Sequence, residues 1–207
     1  MLIINTKYKL TDQTKIFDGH TLYRIQALSD FGDVKKGELG GWIETEDNLS
    51  QWDRAWVRDN AYVYGNARIS DDAQIYDNAR ISDHAYICDN ARVYGDACVF
   101  GHAHIYRNAK IFGNAKVFDN ALISDCVQVS GNTRVFGDAR IDGNLKITGG
   151  EFYHTQDDLI EVKKIKNNNG LVTLCSNPKF ADEELNGKKV KIKLAEGTII
   201  EGELIED

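Results

Sequence analysis

The middle of the chain places one aliphatic residue at every sixth position. From residue 57 to residue 147, all sixteen of these positions hold Val or Ile, with no residue inserted between the sixes. The fifth position of each six is Ala in most cases and differs at Val127, Thr133 and Leu145. The third position is mostly Gly or Asp, and the fourth is mostly Asn or Asp. The chain therefore carries a six-residue repeat over residues 57–148.

A period of six residues argues against two common structures and predicts a third. An α-helix would spread these aliphatic residues around its whole surface, and antiparallel strands would show a period of two. A coil with short straight sides fits the pattern, because the aliphatic side chain points inward and its neighbours point outward. Gly, Asp and Asn suit the corners, since they tolerate left-handed backbone angles. Three sides of six residues would close a triangular coil of 18 residues. Such coils stack about 4.8 Å apart through parallel hydrogen bonds.

The two ends of the chain do not follow the repeat. Residues 1–50 contain a hairpin pattern around Asp18-Gly19, and Trp42, Trp52 and Trp56 lie near the junction with the repeat. Because the open end of a solenoid exposes strand edges and core, we expect residues 1–50 to form a β cap. Strand patterns at 158–165, 171–175, 190–194 and 198–205 predict a small antiparallel β module over residues 151–207. This module is either a second cap or a separate binding domain, and residues 51–150 form the β-helix between the two ends.

The repeat resembles the hexapeptide-repeat left-handed parallel β-helix, whose usual motif is an aliphatic residue, a small or acidic residue, two variable residues and a small residue. The stretch from Phe31 to Ile43, with Gly37-Glu38-Leu39-Gly40-Gly41-Trp42, leads into Gly-Asn-Ala-Arg repeats. This combination is similar to bacterial and phage-encoded hexapeptide proteins, some of which are labelled acyltransferases. The resemblance covers roughly residues 8–148. It implies a left-handed coil and, as one alternative, acyl transfer from acetyl-coenzyme A.

The position after each aliphatic residue departs from that family, because it often holds a large ring. Equivalent residues of successive coils should stack on one face, which predicts two outward-facing aromatic ladders. The first comprises Tyr76, Tyr94 and Phe112, flanked by Arg92 and Lys110; the second comprises Phe100, Phe118 and Phe136, flanked by Lys116 and Arg134. Contiguous apolar patches of this kind often mark partner surfaces. The alternatives are simple stabilisation of the sheet, or stacking on a base or sugar of a ligand.

The histidines are the candidates for catalysis, because acyltransferases on this scaffold use a His as general base. His84 and His102 occupy equivalent positions of successive coils and should stack at one corner, while His104 should point outward. The simplest interpretation is that His84 and His102 replace Asn at a corner. No metal site is expected from that pair, because Asn66 and Asn120 occupy the adjacent corners. The sixteen sixes also run without the inserted loop that usually shapes the acceptor site of these enzymes.

Charge and composition exclude further classes of function. The chain has 25 basic and 32 acidic residues, and no segment is strongly basic, which argues against binding to duplex nucleic acid. No apolar run approaches the length of a membrane span, and no secretory signal is recognisable. Four widely separated cysteines are typical of free thiols in a reducing cytoplasm.

Taken together, these patterns favour a non-catalytic structural or binding protein over an enzyme. We expect a homo-oligomeric β-helix, dimeric or trimeric and without a cofactor, that acts on a protein partner such as a host factor or on a ligand. The alternative is a coenzyme A-dependent acyltransferase of the hexapeptide-repeat family.

Overall fold

The computed structural model describes residues 6–154 and, for their backbone, the strands at 162–167, 170–175, 189–193 and 199–205. The described residues are all-β apart from a 3₁₀ turn at Glu46–Asn48. The strands, in chain order, are β1 Tyr8–Phe17, β2 His20–Ala27, β3 Leu39–Ile43, β4 Trp56–Val57, β5 Tyr62–Val63, β6 Arg68–Ile69, β7 Gln74–Ile75, β8 Arg80–Ile81, β9 Tyr86–Ile87, β10 Arg92–Val93, β11 Cys98–Val99, β12 His104–Ile105, β13 Lys110–Ile111, β14 Lys116–Val117, β15 Leu122–Ile123, β16 Gln128–Val129, β17 Arg134–Gly137, β18 Arg140–Ile141, β19 Lys146–Ile147, β20 Glu151–His154, β21 Val162–Asn167, β22 Gly170–Cys175, β23 Lys189–Lys193 and β24 Ile199–Ile205.

Strands β4 to β19 form a parallel β-solenoid of about six turns, as the six-residue repeat predicts. Each strand from β4 to β17 pairs in parallel with the strand three places further along the chain, so successive strands belong to three different sheets. Arg92 pairs with Lys110 and Val93 with Ile111, so each residue lies beside its equivalent in the next coil. The first sheet contains β5, β8, β11, β14, β17 and β20. The second contains β4, β7, β10, β13, β16 and β19, and the third contains β6, β9, β12, β15 and β18. The hand of the coil stays a prediction.

The corners of the coils explain the Gly or Asp at the third position of each six. Asp83 and Gly101 both have positive φ angles, 57° and 68°. A Cβ added at Gly101 would lie 2.7 Å from the backbone nitrogen of Asp119, so the next coil leaves no room for a side chain there. Where the corner is Asp, its carboxylate offsets the strain by accepting a hydrogen bond from the next coil. For example, Asp83 Oδ2 accepts from the Gly101 backbone amide at 3.0 Å.

The aliphatic and alanine positions form one continuous core inside the coils. All sixteen repeat positions from Val57 to Ile147 are buried, and the alanines from Ala61 to Ala121 are fully buried. The residue after each aliphatic was expected to be exposed, and this expectation is wrong for part of the repeat. Cys88, Ser124 and Ser130 are buried at that position. The aromatic rings there are only half-buried, because each ring covers the faces of its neighbours.

The N-terminal hairpin is confirmed and extends the first sheet. Strands β1 and β2 pair antiparallel, with Phe17 opposite His20 and with Asp18 and Gly19 at positive φ between them. Strand β2 pairs antiparallel with β3, and β3 pairs in parallel with β5. Trp56 is fully buried at this junction and packs against Tyr8 and Phe31. Trp52, in contrast, is 81% exposed, so it contributes no buried surface to the junction.

The C-terminal strands are antiparallel, as their alternation predicts. Strand β22 pairs with β21 and with the solenoid strand β18, while β24 pairs with β21 and β23. The described part of the strand predicted at 158–165 starts at Val162, and residues 158–161 lie outside the described residues. The division of the chain into cap, β-helix and module stays a prediction. Within the described residues, no helix is long and apolar enough to cross a membrane.

Replacement of Ala91 by Leu should overpack the inside of a corner and lower the free energy of unfolding by about 1–3 kcal/mol. Ala91 is fully buried, whereas the preceding residue, Asn90, is exposed. Urea denaturation of Ala91→Leu should therefore show a clear loss of stability, and Asn90→Leu should unfold close to the wild type. Equal stability of Ala91→Leu and the wild type would contradict the tight corner.

Candidate interaction surface

The phenylalanine ladder is a column of four stacked rings on the first sheet: Phe100, Phe118, Phe136 and Tyr153. Ring centroids lie 4.9 Å apart between Phe100 and Phe118, and 5.0 Å apart between Phe118 and Phe136. The interplanar angles of these pairs are 1° and 2°, so the predicted ladder is confirmed. It follows from the parallel register, because rings at equivalent positions of successive coils lie one strand spacing apart.

Tyr153 continues this ladder beyond the predicted repeat. Its ring stacks on Phe136 at 4.9 Å, and its side chain is 56% exposed at the end of the column. The six-residue register did not predict it, because the last corner is one residue shorter than the others and Phe136 pairs with Tyr153 instead of His154. The signal was present in Phe152, a large apolar residue just before a ring, which is buried like the aliphatic positions.

The tyrosine ladder, Tyr76, Tyr94 and Phe112, lies on the second sheet. Its centroid separations are 4.7 Å and 4.9 Å, with interplanar angles of 5° and 1°. Partial burial raises the pKa of the Tyr76 and Tyr94 hydroxyl groups above their usual value, so both stay protonated hydrogen-bonding groups at neutral pH. This ladder is thus the more polar of the two.

Cations lie along both ladders, and Arg134 lies close to two of the rings. The Arg134 guanidinium lies 5.4 Å from the Phe118 centroid and 5.3 Å from the Phe136 centroid, within cation–π range. It also pairs with Glu151. Lys116 precedes it in the same column, and Arg92 and Lys110 occupy paired positions beside the tyrosine ladder. The charge beside the phenylalanine ladder is therefore partly neutralised within the chain.

The N-terminal hairpin covers the part of the first sheet around β5. Phe17, at the tip of the N-terminal hairpin, packs on Tyr62 at 4.7 Å and on Tyr64 at 5.8 Å. Lys15 Nζ donates to the Tyr62 hydroxyl at 2.9 Å. Below Tyr64 the outward position is Ser82, and a depression of about 530 Å³ opens there between Tyr64 and Phe100. The hairpin thus ends where the phenylalanine ladder begins.

Of the three candidate histidines, the structure brings His84 and His102 together. His84 and His102 stack 4.7 Å apart at exposed corners, as the register predicts. His104 does not reach this pair in any contact that the structure shows. It is half-buried between the rings of Tyr86 and Tyr106, at 5.0 and 4.7 Å, and its Nε2 lies 3.4 Å from Cys88 Sγ. His104 therefore lies outside the buried core, but these rings and Cys88 cover part of it.

Cys88 and His104 have the spacing of a nucleophile and a base, but their protonation opposes that role. Burial, with Asp89 and Asp71 nearby, raises the pKa of the Cys88 thiol to about 11. Burial also lowers the pKa of His104, against a smaller opposing effect of Asp89. At neutral pH the pair is a protonated thiol beside a neutral imidazole, whereas nucleophilic catalysis requires the thiolate.

Comparison with known proteins supports the solenoid and does not extend to function. A family model described as the YdcK beta solenoid repeat matches residues 73–86 and 85–107. The match lies inside the six-residue repeat, and the chain is similar to that repeat family over this part. None of the curated proteins compared with this chain matches it.

At neutral pH, Cys88 should react with iodoacetamide more slowly than the exposed Cys126. Its pKa of about 11, against an ordinary value of 9.0, leaves less thiolate, and its reactivity should rise as the pH approaches 11. Alkylation can be followed by mass spectrometry in the presence of a chelator. Variants that retain only Cys88 or only Cys126 provide the comparison. Faster reaction of Cys88 at neutral pH would indicate an activated thiol and contradict this assignment.

Proposed function

We propose that this chain is a non-catalytic structural or binding protein whose copies associate through the phenylalanine ladder. The observation that carries the proposal is the column of four stacked rings along one face of the solenoid. Contiguous aromatic surface at the centre of a patch is typical of protein interfaces. The flat, repetitive face of a β-solenoid also suits side-by-side packing with a second copy.

The N-terminal hairpin supports the proposal, because it provides an example within the chain of how this face is covered. Near β5, at one end of the solenoid part of the first sheet, Phe17 packs against Tyr62 and Tyr64. Towards β20, at the other end, the described residues place no comparable element over the rings from Phe100 to Tyr153. A second copy would supply the missing apolar cover there.

The energetics favour an interface that extends beyond the rings. Because the rings are already half-buried by stacking, covering the remainder contributes about 1 kcal/mol per ring rather than the full value for an exposed side chain. Association costs at least about 4 kcal/mol, so four rings supply only part of a stable contact. Flanking residues such as Lys116 and Arg134 would have to form the polar rim. A trimer, in which each copy uses two faces, would bury more surface than a dimer.

The resemblance to bacterial and phage-encoded hexapeptide proteins gives the proposal its finer detail. By this resemblance the coil is left-handed and the assembly acts on a host factor or a ligand, and the separated cysteines favour the cytoplasm. The tyrosine ladder, with hydroxyl groups on two of three rings, is the surface we assign to that second partner.

The acyltransferase alternative has less support. His84 and His102 are stacked and exposed, and His104 is covered by neighbouring rings. His104 does contact Cys88, but the raised pKa of that thiol opposes a nucleophilic role at neutral pH. We therefore assign no catalytic residue and no acetyl-coenzyme A site.

Self-association should be lost when charges are placed in the phenylalanine ladder. We expect wild-type protein to be a dimer or trimer by light scattering, and the Phe118→Asp, Phe136→Asp variant to be monomeric. The matched control is Tyr94→Asp, Phe112→Asp, which disrupts the other ladder to a similar degree and should keep the wild-type mass. Circular dichroism of both variants should retain the β-sheet signal. A monomeric wild type, or an unchanged mass in the first variant, would remove the interface and leave the ladder as a stabiliser of the sheet.

Acetyl-coenzyme A should not raise the melting temperature of the protein at sub-millimolar concentration. The expectation follows from the proposal that the chain is not an acyltransferase, and thermal-shift measurement checks it. If acetyl-coenzyme A does protect the protein, and His84→Ala, His102→Ala or His104→Ala abolishes a measured acyl transfer, the chain is an acyltransferase and the binding proposal fails.

A further inference from the structure

The corner beside the third sheet gathers four side chains with metal-binding atoms, which we name the donor cluster: Asp71, Cys88, Asp89 and His104. The donor atoms of Asp71, Cys88 and Asp89 all lie within 4.8 Å of one another. His104 Nε2 lies 3.4 Å from Cys88 Sγ. The cluster contains no residue of either aromatic ladder, so its chemistry is independent of the proposed interface.

The register of the coils explains why residues so far apart in sequence meet here. Asp71 and Asp89 occupy the same corner of successive coils, and the Asp89 amide donates to the Asp71 carboxylate. Cys88 immediately precedes Asp89. His104 pairs with Tyr86 of the neighbouring coil, which places its ring beside Cys88. Backbone pairing between coils, or a hydrogen bond at a corner, thus fixes the position of each residue of the donor cluster.

The donor set is chemically mixed, which distinguishes it from an ordinary acidic patch. It contains a sulfur, an imidazole nitrogen and two carboxylates, the ligand types of Zn²⁺ and similar divalent transition metals. For tetrahedral Zn²⁺ with usual bond lengths, sulfur and nitrogen ligands lie about 3.5 Å apart. The observed Cys88–His104 separation of 3.4 Å fits this value. The donor atoms of Asp71, Cys88 and Asp89 lie within 4.8 Å of one another, in a group that does not include His104, so the carboxylates and the imidazole would have to draw closer on binding.

Burial and hydrogen bonding orient the cluster. Cys88 is only 7% exposed, so its sulfur forms the inner wall, whereas Asp71 is exposed and gives access from solvent. One oxygen of each aspartate holds the coil together: Asp71 Oδ2 accepts from the Asp89 amide at 3.2 Å, and Asp89 Oδ2 accepts from the Arg107 amide at 2.9 Å. Each carboxylate has a second oxygen for a metal.

An outer layer of hydrogen bonds supports one of these carboxylates. Ser70 Oγ donates to Asp71 Oδ2 at 2.9 Å, and the Tyr86 hydroxyl lies 2.9 Å from Ser70 Oγ. The Tyr86 ring also stacks on His104 at 5.0 Å, so a single tyrosine restrains both an oxygen ligand and the nitrogen ligand. Outer partners of this kind fix ligand orientation at metal sites.

From this geometry we infer that the donor cluster binds a zinc-class divalent transition metal through Cys88, His104 and the carboxylates of Asp71 and Asp89. On binding, the Cys88 S–H bond breaks, the proton passes to solvent and the sulfur forms the metal bond as thiolate. Ca²⁺ and Mg²⁺ are not expected there, because they prefer sites made wholly of oxygen ligands. A bound ion would join successive coils at this corner.

Cobalt(II) is the probe that tests this inference, because a cobalt–thiolate bond gives a charge-transfer absorption in the near ultraviolet. Metal-stripped wild-type protein should bind Co²⁺ and show that band, and excess Zn²⁺ should displace it. Cys88→Ser should lose the band. A variant with Cys98, Cys126 and Cys175 all changed to Ser should retain it, since Cys88 is then the only thiol.

The other ligands are tested by variants that keep the structure. His104→Phe preserves the ring stack and should weaken Co²⁺ binding at least about tenfold, whereas His84→Phe, at the exposed stack, should leave binding unchanged. Asp71→Asn keeps an oxygen for the Asp89 amide and should also weaken binding. Each variant is checked for a wild-type melting temperature without metal. Absence of the charge-transfer band in the wild type, its survival in Cys88→Ser, or unchanged affinity in both His104→Phe and Asp71→Asn would overturn the inference.

Discussion

Parallel backbone pairing between equivalent residues of successive coils is the constraint on which the rest of this structure depends. Each strand contributes only two residues to most of its pairings, as with Arg92 and Val93 opposite Lys110 and Ile111. No single strand of that length could be stable alone. Stability comes from repetition, because every coil closes the hydrogen bonds of the one before it and buries one more layer of aliphatic and alanine side chains.

The same constraint turns each outward position into a column of like-placed side chains. At the corners the column is structural: Asp89 Oδ2 accepts from the Arg107 amide just as Asp83 Oδ2 accepts from the Gly101 amide. On the faces the content of a column depends on the sequence. Large rings at successive positions give ladders with ring separations close to the strand spacing, as for Phe118 and Phe136. A ladder is therefore both a by-product of the fold and a preformed surface.

The columns also limit what chemistry the molecule can perform. His84 and His102 stack on each other at exposed corners, which places two like groups together and brings no acid, base or nucleophile to them in any contact among the described residues. Mixed chemistry arises where neighbouring columns differ, as they do beside the third sheet. There a thiol, an imidazole and two aspartate corners lie side by side, and Cys88 becomes buried between them. A binding surface on one face and a metal-binding corner on another are compatible with one regular scaffold.

The sequence by itself determined the solenoid and its ladders, because both depend on a period that can be read directly from the chain. The inward Val and Ile, the small Ala and the Gly or Asp corners follow from local geometry, as do the stacked rings of successive coils. The tertiary structure decided features that depend on contacts between different columns or on a change in register. Tyr153 joins the ladder because the last corner is one residue shorter. Trp52 is exposed although Trp56, in the first strand of the repeat, is fully buried. Cys88 contacts His104, which lies 16 residues further along the chain, a spacing that is not a multiple of six. The contact forms because side chains of neighbouring columns on adjacent coils touch each other.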